Sequence, residues 1–167
     1  MELRLEPHAI GIVIQAVCDS LDPWAKTKAI TISRRVPDAL PQTLLDQARI
    51  TQVLTNLLGN AIKFTPKQGR VTIEAKLDPE QKAIVVSVAD TGIGIANEDL
   101  PKLFNKFQQV GERTASDISG TGLGLAIAKE IIELHHGSIW AEPGFKEGAK
   151  FVFTLPLTRP SVAETSG

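Results

Sequence analysis

Cysteine is almost absent from this 167-residue chain. Cys18 stands alone, so no disulfide can close within the chain and a reducing setting is the natural expectation. Cys18 falls in an apolar stretch, where a packed side chain is expected and a reactive thiol is not. Long hydrophobic runs are missing too. No stretch approaches the roughly 20 apolar residues that cross a bilayer, and Met1-Glu2-Leu3-Arg4 does not open a signal peptide, which points to a soluble, cytoplasmic piece, whatever it is attached to. An excess of charge of one sign is also lacking. With 18 basic residues against 19 acidic ones, nothing favours electrostatic capture of nucleic acid or of an anionic membrane. A bound nucleotide would have to be held by local geometry. Two common phosphate-binding signatures are absent. There is no Gly-Lys-Ser/Thr sequence, which removes the P-loop, and the one glycine-rich triplet neither follows a strand nor precedes an acidic residue on a second strand, which removes the dinucleotide fingerprint. There is no internal repeat.

What is present is the balance of one soluble globular domain, 43% apolar and 22% charged. LRLEP is extended in character and ends at Pro7. Ile10, Ile14, Val17, Leu21 and Trp24 then recur at helical spacing, and Pro23 is expected to kink or restart that helix. Ile30 and Ile32 mark a short strand, and RRVPDALPQT reads as a loop. A long helix follows, with Ile50, Val53, Leu54, Leu57, Ala61 and Phe64 as its apolar stripe, ending at Thr65-Pro66. Val71 to Leu77 and Ile84 to Val88 alternate around the turn DPEQK and form a hairpin.

A short helix is expected around Leu100, Leu103, Phe104 and Phe107. QQVGERTASDISGTG has neither periodicity nor bulk and reads as a mobile loop. The last helix should bury Leu123, Ile127, Ile131 and Leu134, stop at Gly137, and hold His135 and His136 near the negative end of its dipole. A second hairpin, Ile139 to Ala141 with Lys150 to Leu155, closes the domain. Two hairpins with helices in mixed order argue for an α+β two-layer sandwich: a mixed, mostly antiparallel sheet with about three helices on one face. Residues 1–159 are assigned to this domain and 160–167 to a tail or linker.

Three segments carry chemistry. On the long helix Asn56, Asn60 and Lys63 are spaced by four and three and share one stripe apart from the apolar one. This is either the solvated edge of an amphipathic helix or two amides and an ammonium offered to a cleft. Asparagine competes for backbone hydrogen bonds and is a poor helix former, so two of them call for compensation. The second segment is Asp90 at a strand end, followed by Thr91-Gly92-Ile93-Gly94-Ile95. Here a fixed carboxylate could accept from an exocyclic amine while glycines let a flat ligand approach; an ordinary Asp-capped turn is the plain alternative. The third is Gly120-Thr121-Gly122-Leu123-Gly124, which opens the last helix and could offer backbone N–H groups to phosphates.

In order, NLLGNAIKFT, DTGIGI, LFNKF and GTGLGLAI resemble the N, G1, F and G2 boxes of the histidine-kinase catalytic domain. That family is part of the gyrase, chaperone, histidine kinase and mismatch-repair ATPase superfamily. The resemblance runs from about Leu5 to the closing FVFTLP. It implies a Bergerat-type α/β sandwich that binds ATP with Mg²⁺ beneath a flexible lid, here about residues 108–119.

The resemblance also implies roles. Asn60 would give a side-chain oxygen to Mg²⁺, Asn56 would assist at the metal or phosphates, and Lys63 would neutralise phosphate charge. Asp90 would take the adenine amine between Gly92 and Gly94. Gly120, Gly122 and Gly124 would line the triphosphate, with Ile95, Phe107, Thr121 and Leu123 completing the set. Phe104 and Phe107 would anchor the lid, and Arg113 is a candidate γ-phosphate contact. Ser119 and Ala149 depart from many relatives, at positions expected to touch no ligand contact.

Hydrolysing members of the superfamily carry a glutamate four residues before the metal asparagine, placed to activate water. Here that residue is Asn56, and an amide cannot take the proton. The implied activity is therefore transfer of the γ-phosphate to a histidine on a separate dimerisation domain, with a response-regulator receiver downstream. His8, His135 and His136 lack the setting of a phosphoacceptor, so the isolated chain is not expected to phosphorylate itself. A clamp ATPase and a non-catalytic nucleotide-binding regulator stay open as alternatives.

Overall fold

The computed structural model describes residues 2–92, 109–110, 113–114, 124–143 and 148–157. Strand β1 (Glu6–His8) leads into helix α1 (Ile10–Thr27), followed by β2 (Thr31–Arg35), β3 (Thr43–Leu45), α2 (Gln47–Phe64), β4 (Arg70–Asp78) and β5 (Ala83–Asp90). After them come the two-residue strands β6 (Gln109–Val110) and β7 (Arg113–Thr114), helix α3 (Gly124–Leu134), β8 (Ile139–Pro143) and β9 (Ala149–Pro156).

The main sheet runs β2-β4-β5-β9-β8. Its first pair is parallel and the other three are antiparallel. Register makes the core. Ile73 lies opposite Val88 and Val88 opposite Phe151, while Ala75, Val86 and Phe153 form the next row. Because strand side chains alternate with period two, these rows share one face, and all six residues are buried. Helices α1, α2 and α3 supply the opposing layer through Ile14, Val17, Leu54, Leu57, Leu58, Ala128 and Ile131, which join the same cluster. This is the two-layer α/β sandwich expected from the sequence.

Four local expectations are corrected. Pro7 does not end the first strand but sits at its centre, opposite Leu44 of β3. A two-stranded pairing needs no N–H on its outer edge, so proline is tolerated. The end of β2 and the first residue of β3 fall in the segment expected to be loop, since three-residue strands carry too little alternation to stand out. Helix α1 does not restart at Pro23 but continues through it to Thr27. Pro23 and Asp19, four residues before it, are both exposed, so water can take the carbonyl that proline leaves without a donor. Finally, α3 buries Leu125, Ala128, Ile131 and Ile132, whereas Leu134 is 39% exposed. Its inward stripe ends on His135, which a polar/apolar reading counts as surface.

Helix α2 starts at Asp46, whose carboxylate accepts from Arg49 N at 3.1 Å and from Arg4 N at 2.9 Å. Burial pushes the Asp46 carboxyl up, but the two backbone donors, aided by the charge of Arg49, outweigh it and hold the group below its ordinary value. With the folded value depressed, the stabilisation is present above the ordinary carboxylate range and is lost as pH falls through the folded value. Asp46→Ala should therefore lower the unfolding free energy by about 1–2 kcal/mol at neutral pH, read from urea denaturation. The difference between variant and parent should shrink in acid.

Candidate functional site

Helix α2 faces the core with one side and brings its polar stripe to a junction with β5 and α3. Asn60 is 7% exposed, and its Nδ2 has no hydrogen-bond partner among the described residues. A buried amide left in that state costs stability unless a ligand or water engages it. One turn earlier, half-buried Asn56 donates from Nδ2 to the carbonyl of Gly124 at 3.2 Å. That bond ties the middle of α2 to the first residue of α3. Lys63 is exposed, its ammonium 5.3 Å from the centre of the Phe64 ring. The last turn of α2 is fixed by Lys28, whose Nζ donates to the carbonyls of Ile62 at 2.8 Å and Lys63 at 3.2 Å. A cation at a helix carboxyl end is favourable. Burial pushes this ammonium below its ordinary value.

Asp90 ends β5 on the inward face, opposite Val71, and is 3% exposed. Its Oδ1 accepts from Gly92 N at 2.8 Å and from Ala149 N at 3.3 Å, which sets the orientation of the carboxylate. Two glycines make this possible. A Cβ on Gly92 would come within 2.3 Å of the Phe64 carbonyl, and one on Gly148, whose φ is +80°, within 1.8 Å of the Asp90 carbonyl. The end of α2, the turn after β5 and the start of β9 thus converge around one buried carboxylate.

Asn56, Asn60, Asp90, Gly92 and Gly124 are accordingly placed around this junction, with Lys63 on the neighbouring surface. Gly94, Ile95, Phe104, Phe107, Gly120, Thr121, Gly122 and Leu123 lie outside the described residues. So do the expected short helix and most of the lid, of which the backbone pairing of Gln109 with Thr114 and Val110 with Arg113 is described. The segment read as aperiodic thus contains a minimal hairpin. Ala149 needs correction: it was expected to touch no ligand contact, yet its N–H holds Asp90. Gly148 was not singled out at all. Its signal was there, a glycine directly before a strand, but its partner is 58 positions away in sequence.

His135 has two plain readings in the sequence, a helix-terminal cation and a packed ring. It is 5% exposed at the other end of the α2–α3 pair. Its Nδ1 lies 2.8 Å from the Ile131 carbonyl, and its Nε2 accepts from Asp46 N at 3.0 Å. A carbonyl can only accept and an amide N–H can only donate, so the ring is neutral with its proton on Nδ1. It is a packed ring, and not a helix-terminal cation.

The donor set suits a nucleotide with a hard divalent cation. Among the described residues no cluster of three His, Cys, Asp or Glu side chains could hold a metal, so an ion here would depend on the Asn60 carboxamide oxygen and on ligand phosphates, as Mg²⁺ commonly does. Asn60 is buried with its Nδ2 unengaged among the described residues, a donor suited to a phosphate oxygen, while its carboxamide oxygen is the atom a cation would take. Asp90 has the fixed, buried carboxylate that can accept from an exocyclic amine.

Comparison with known proteins agrees. The family described as histidine kinase-, DNA gyrase B- and HSP90-like ATPase matches residues 45–159. The sensor histidine kinase WalK of Bacillus subtilis is 40% identical over 131 residues, 78% of this chain and 21% of that protein. The adaptive-response sensory kinase SasA of Synechocystis is 37% identical over 153 residues, 92% of this chain and 39% of its own length. The solved catalytic domain of histidine kinase ThkA superposes with a TM-score of 0.82 at 27% identity, covering 95% of this chain and 100% of that one. Full-length ShkA in complex with AMPPNP gives a TM-score of 0.82 at 33% identity, over 97% of this chain and 33% of that one.

The chain belongs to this ATPase family. Within the family it is a catalytic ATP-binding domain of the sensor histidine kinase type. It spans between 21% and 39% of the length of these two curated relatives. Among the described residues no helix is long and apolar enough to cross a membrane.

Proposed function

We propose that this domain, residues 1–159, binds ATP with Mg²⁺ and donates the γ-phosphate to a histidine on a separate dimerisation domain, from which it passes to a response-regulator receiver. Residues 160–167 then serve as tail or linker, and the domain works in the cytoplasm. The observation that carries this reading is Asn56. It stands where a hydrolytic enzyme of the family would need a carboxylate, and its amide is engaged as a donor to Gly124. An amide cannot accept a proton from water, so the site is suited to holding ATP intact until a better nucleophile arrives. The ShkA structure with AMPPNP and a structure of ThkA in complex with the response regulator TrrA support the two ends of this sequence in related proteins.

The division of labour follows from residue chemistry. Asp90, held on Oδ1, accepts from the exocyclic amine of adenine, which guanine does not offer at that position. Asn60 offers the metal an oxygen, with Asn56 beside it, and Lys63 balances phosphate charge. When bound, Mg²⁺ supplies charge neutralisation across the phosphates. Gly94, Ile95 and Phe107 complete the base pocket, and Gly120, Thr121, Gly122, Leu123 and Gly124 bring backbone N–H groups to the triphosphate. The attacking imidazole nitrogen forms a bond to the γ-phosphorus as the bond to the bridging oxygen breaks and ADP leaves. The protein's contribution is positioning and charge.

The test is to incubate the chain with γ-labelled ATP, with and without a separately produced dimerisation domain from a histidine kinase. Acid-labile, alkali-stable label on the added domain is the expected result, with little free phosphate from the chain alone. Rapid phosphate release by the isolated chain would overturn the reading in favour of a clamp ATPase. Binding without transfer would make the chain a regulator.

A further inference from the structure

Helices α2 and α3 run antiparallel and are stitched at both ends by side chains. At the end nearest the candidate site Asn56 Nδ2 holds the Gly124 carbonyl at 3.2 Å. At the far end His135 Nε2 holds the N–H of Asp46, the residue that caps α2, at 3.0 Å. The first stitch lies among the proposed nucleotide contacts. The second lies a full helix length away, since the 11 residues of α3 span about 16 Å. It depends on an imidazole, whose Nε2 accepts only while the ring is neutral.

We propose that His135 is a positioning residue for the nucleotide: its neutral ring fixes the far end of the α2–α3 pair, so that the near end presents Asn56, Asn60 and Gly124 at one spacing, and acid weakens nucleotide binding by breaking that fixture. The proposal rests on the nucleotide reading above. Protonation turns Nε2 from acceptor to donor, which sets two donors against each other and leaves the buried Asp46 N–H unsatisfied. The ring must then move away from Asp46, and α3, as a rigid rod, moves with it. The groups acting on the ring set the direction. Burial pushes its proton affinity below the ordinary histidine value of 6.5. The Ile131 carbonyl and the Asp46 carboxylate oppose that trend, while His136 adds to it. Asp46 is in turn occupied by the Arg4 and Arg49 amides, with the Arg49 charge also acting on it, so it is poorly placed to follow a cationic ring. With the folded value depressed below the ordinary one, the fixture is intact at neutral pH and fails as pH falls through the folded value.

The test compares Mg·AMPPNP affinity by calorimetry at about pH 7.5 and about pH 5.5 in the parent chain and in His135→Gln. Glutamine keeps an acceptor at similar reach and does not titrate. Protonation of the nucleotide is common to both proteins and cancels in the comparison. The parent should lose about fivefold more affinity in acid than the variant, with both still folded by circular dichroism. A purely structural role would leave the two pH profiles parallel. A second measurement needs no variant: by linkage, saturating Mg·AMPPNP should lower the titration midpoint of the His135 ring, followed by NMR, by about 0.7 pH unit. An unmoved midpoint or matching profiles, with nucleotide bound at neutral pH, would overturn the inference and leave the nucleotide reading standing. No binding at neutral pH would overturn both.

Discussion

Asp90→Asn should leave the domain folded and cost it most of its affinity for Mg·AMPPNP. The carboxylate is buried, and Oδ1 is already committed to the N–H groups of Gly92 and Ala149. An asparagine oxygen can keep both of those bonds, so the turn after β5 and the start of β9 should hold. What changes is the negative charge and the second oxygen, replaced by an NH₂ that repels an exocyclic amine where a carboxylate would accept it. A hydrogen bond to a charged group is worth about 1.5–3 kcal/mol, or roughly 10- to 150-fold in affinity. Calorimetry against the parent should show that loss with a melting temperature little changed. Equal heats for the two proteins would remove adenine recognition from Asp90.

Gly148→Ala should do the reverse and damage the fold first. The residue has φ +80°, and the added methyl would stand 1.8 Å from the Asp90 carbonyl oxygen, part of the main chain of a central strand. A left-handed alanine alone costs about 1–2 kcal/mol, and separating two backbones adds to it. A total of about 3 kcal/mol, or a drop of about 6–12 °C in melting temperature, is the expected result by thermal denaturation. Nucleotide affinity should fall as well, because the Ala149 N–H that orients Asp90 moves with its neighbour. A variant as stable as the parent would mean that the β8–β9 connection relieves the contact at little cost.

Legibility from sequence followed the range of the interactions. Helix α2 and the β4–β5 hairpin announce themselves through periodicity within a few residues, and the N-box asparagines ride on that helix at a spacing that locates them on one stripe. The strand β3 was missed because its partner, β1, is more than 30 positions away and both are too short to show alternation. A restart at Pro23 stayed open in the sequence because the residue's cost depends on whether the freed carbonyl of Asp19 meets water, which is a matter of placement. His135 was left between a helix-terminal cation and a packed ring. Its buried position is paid for by one local bond, to Ile131, and one distant bond, to Asp46, and only the first could be guessed from spacing. The support behind Asp90 was illegible for the same reason, since Gly148 and Ala149 reach it across the sheet.

The main sheet is open, with β2 at one margin and β8 at the other. Unfilled margins invite a strand from another molecule. Here each is short, at five residues. The β2 margin finishes on consecutive cations, Arg34 and Arg35, and the β8 margin finishes on Pro143, which has no N–H to offer. Two copies meeting margin to margin would oppose like charges on one side and lack one donor at the strand end on the other. Among the described residues these features disfavour fibre-like growth by strand addition at either margin.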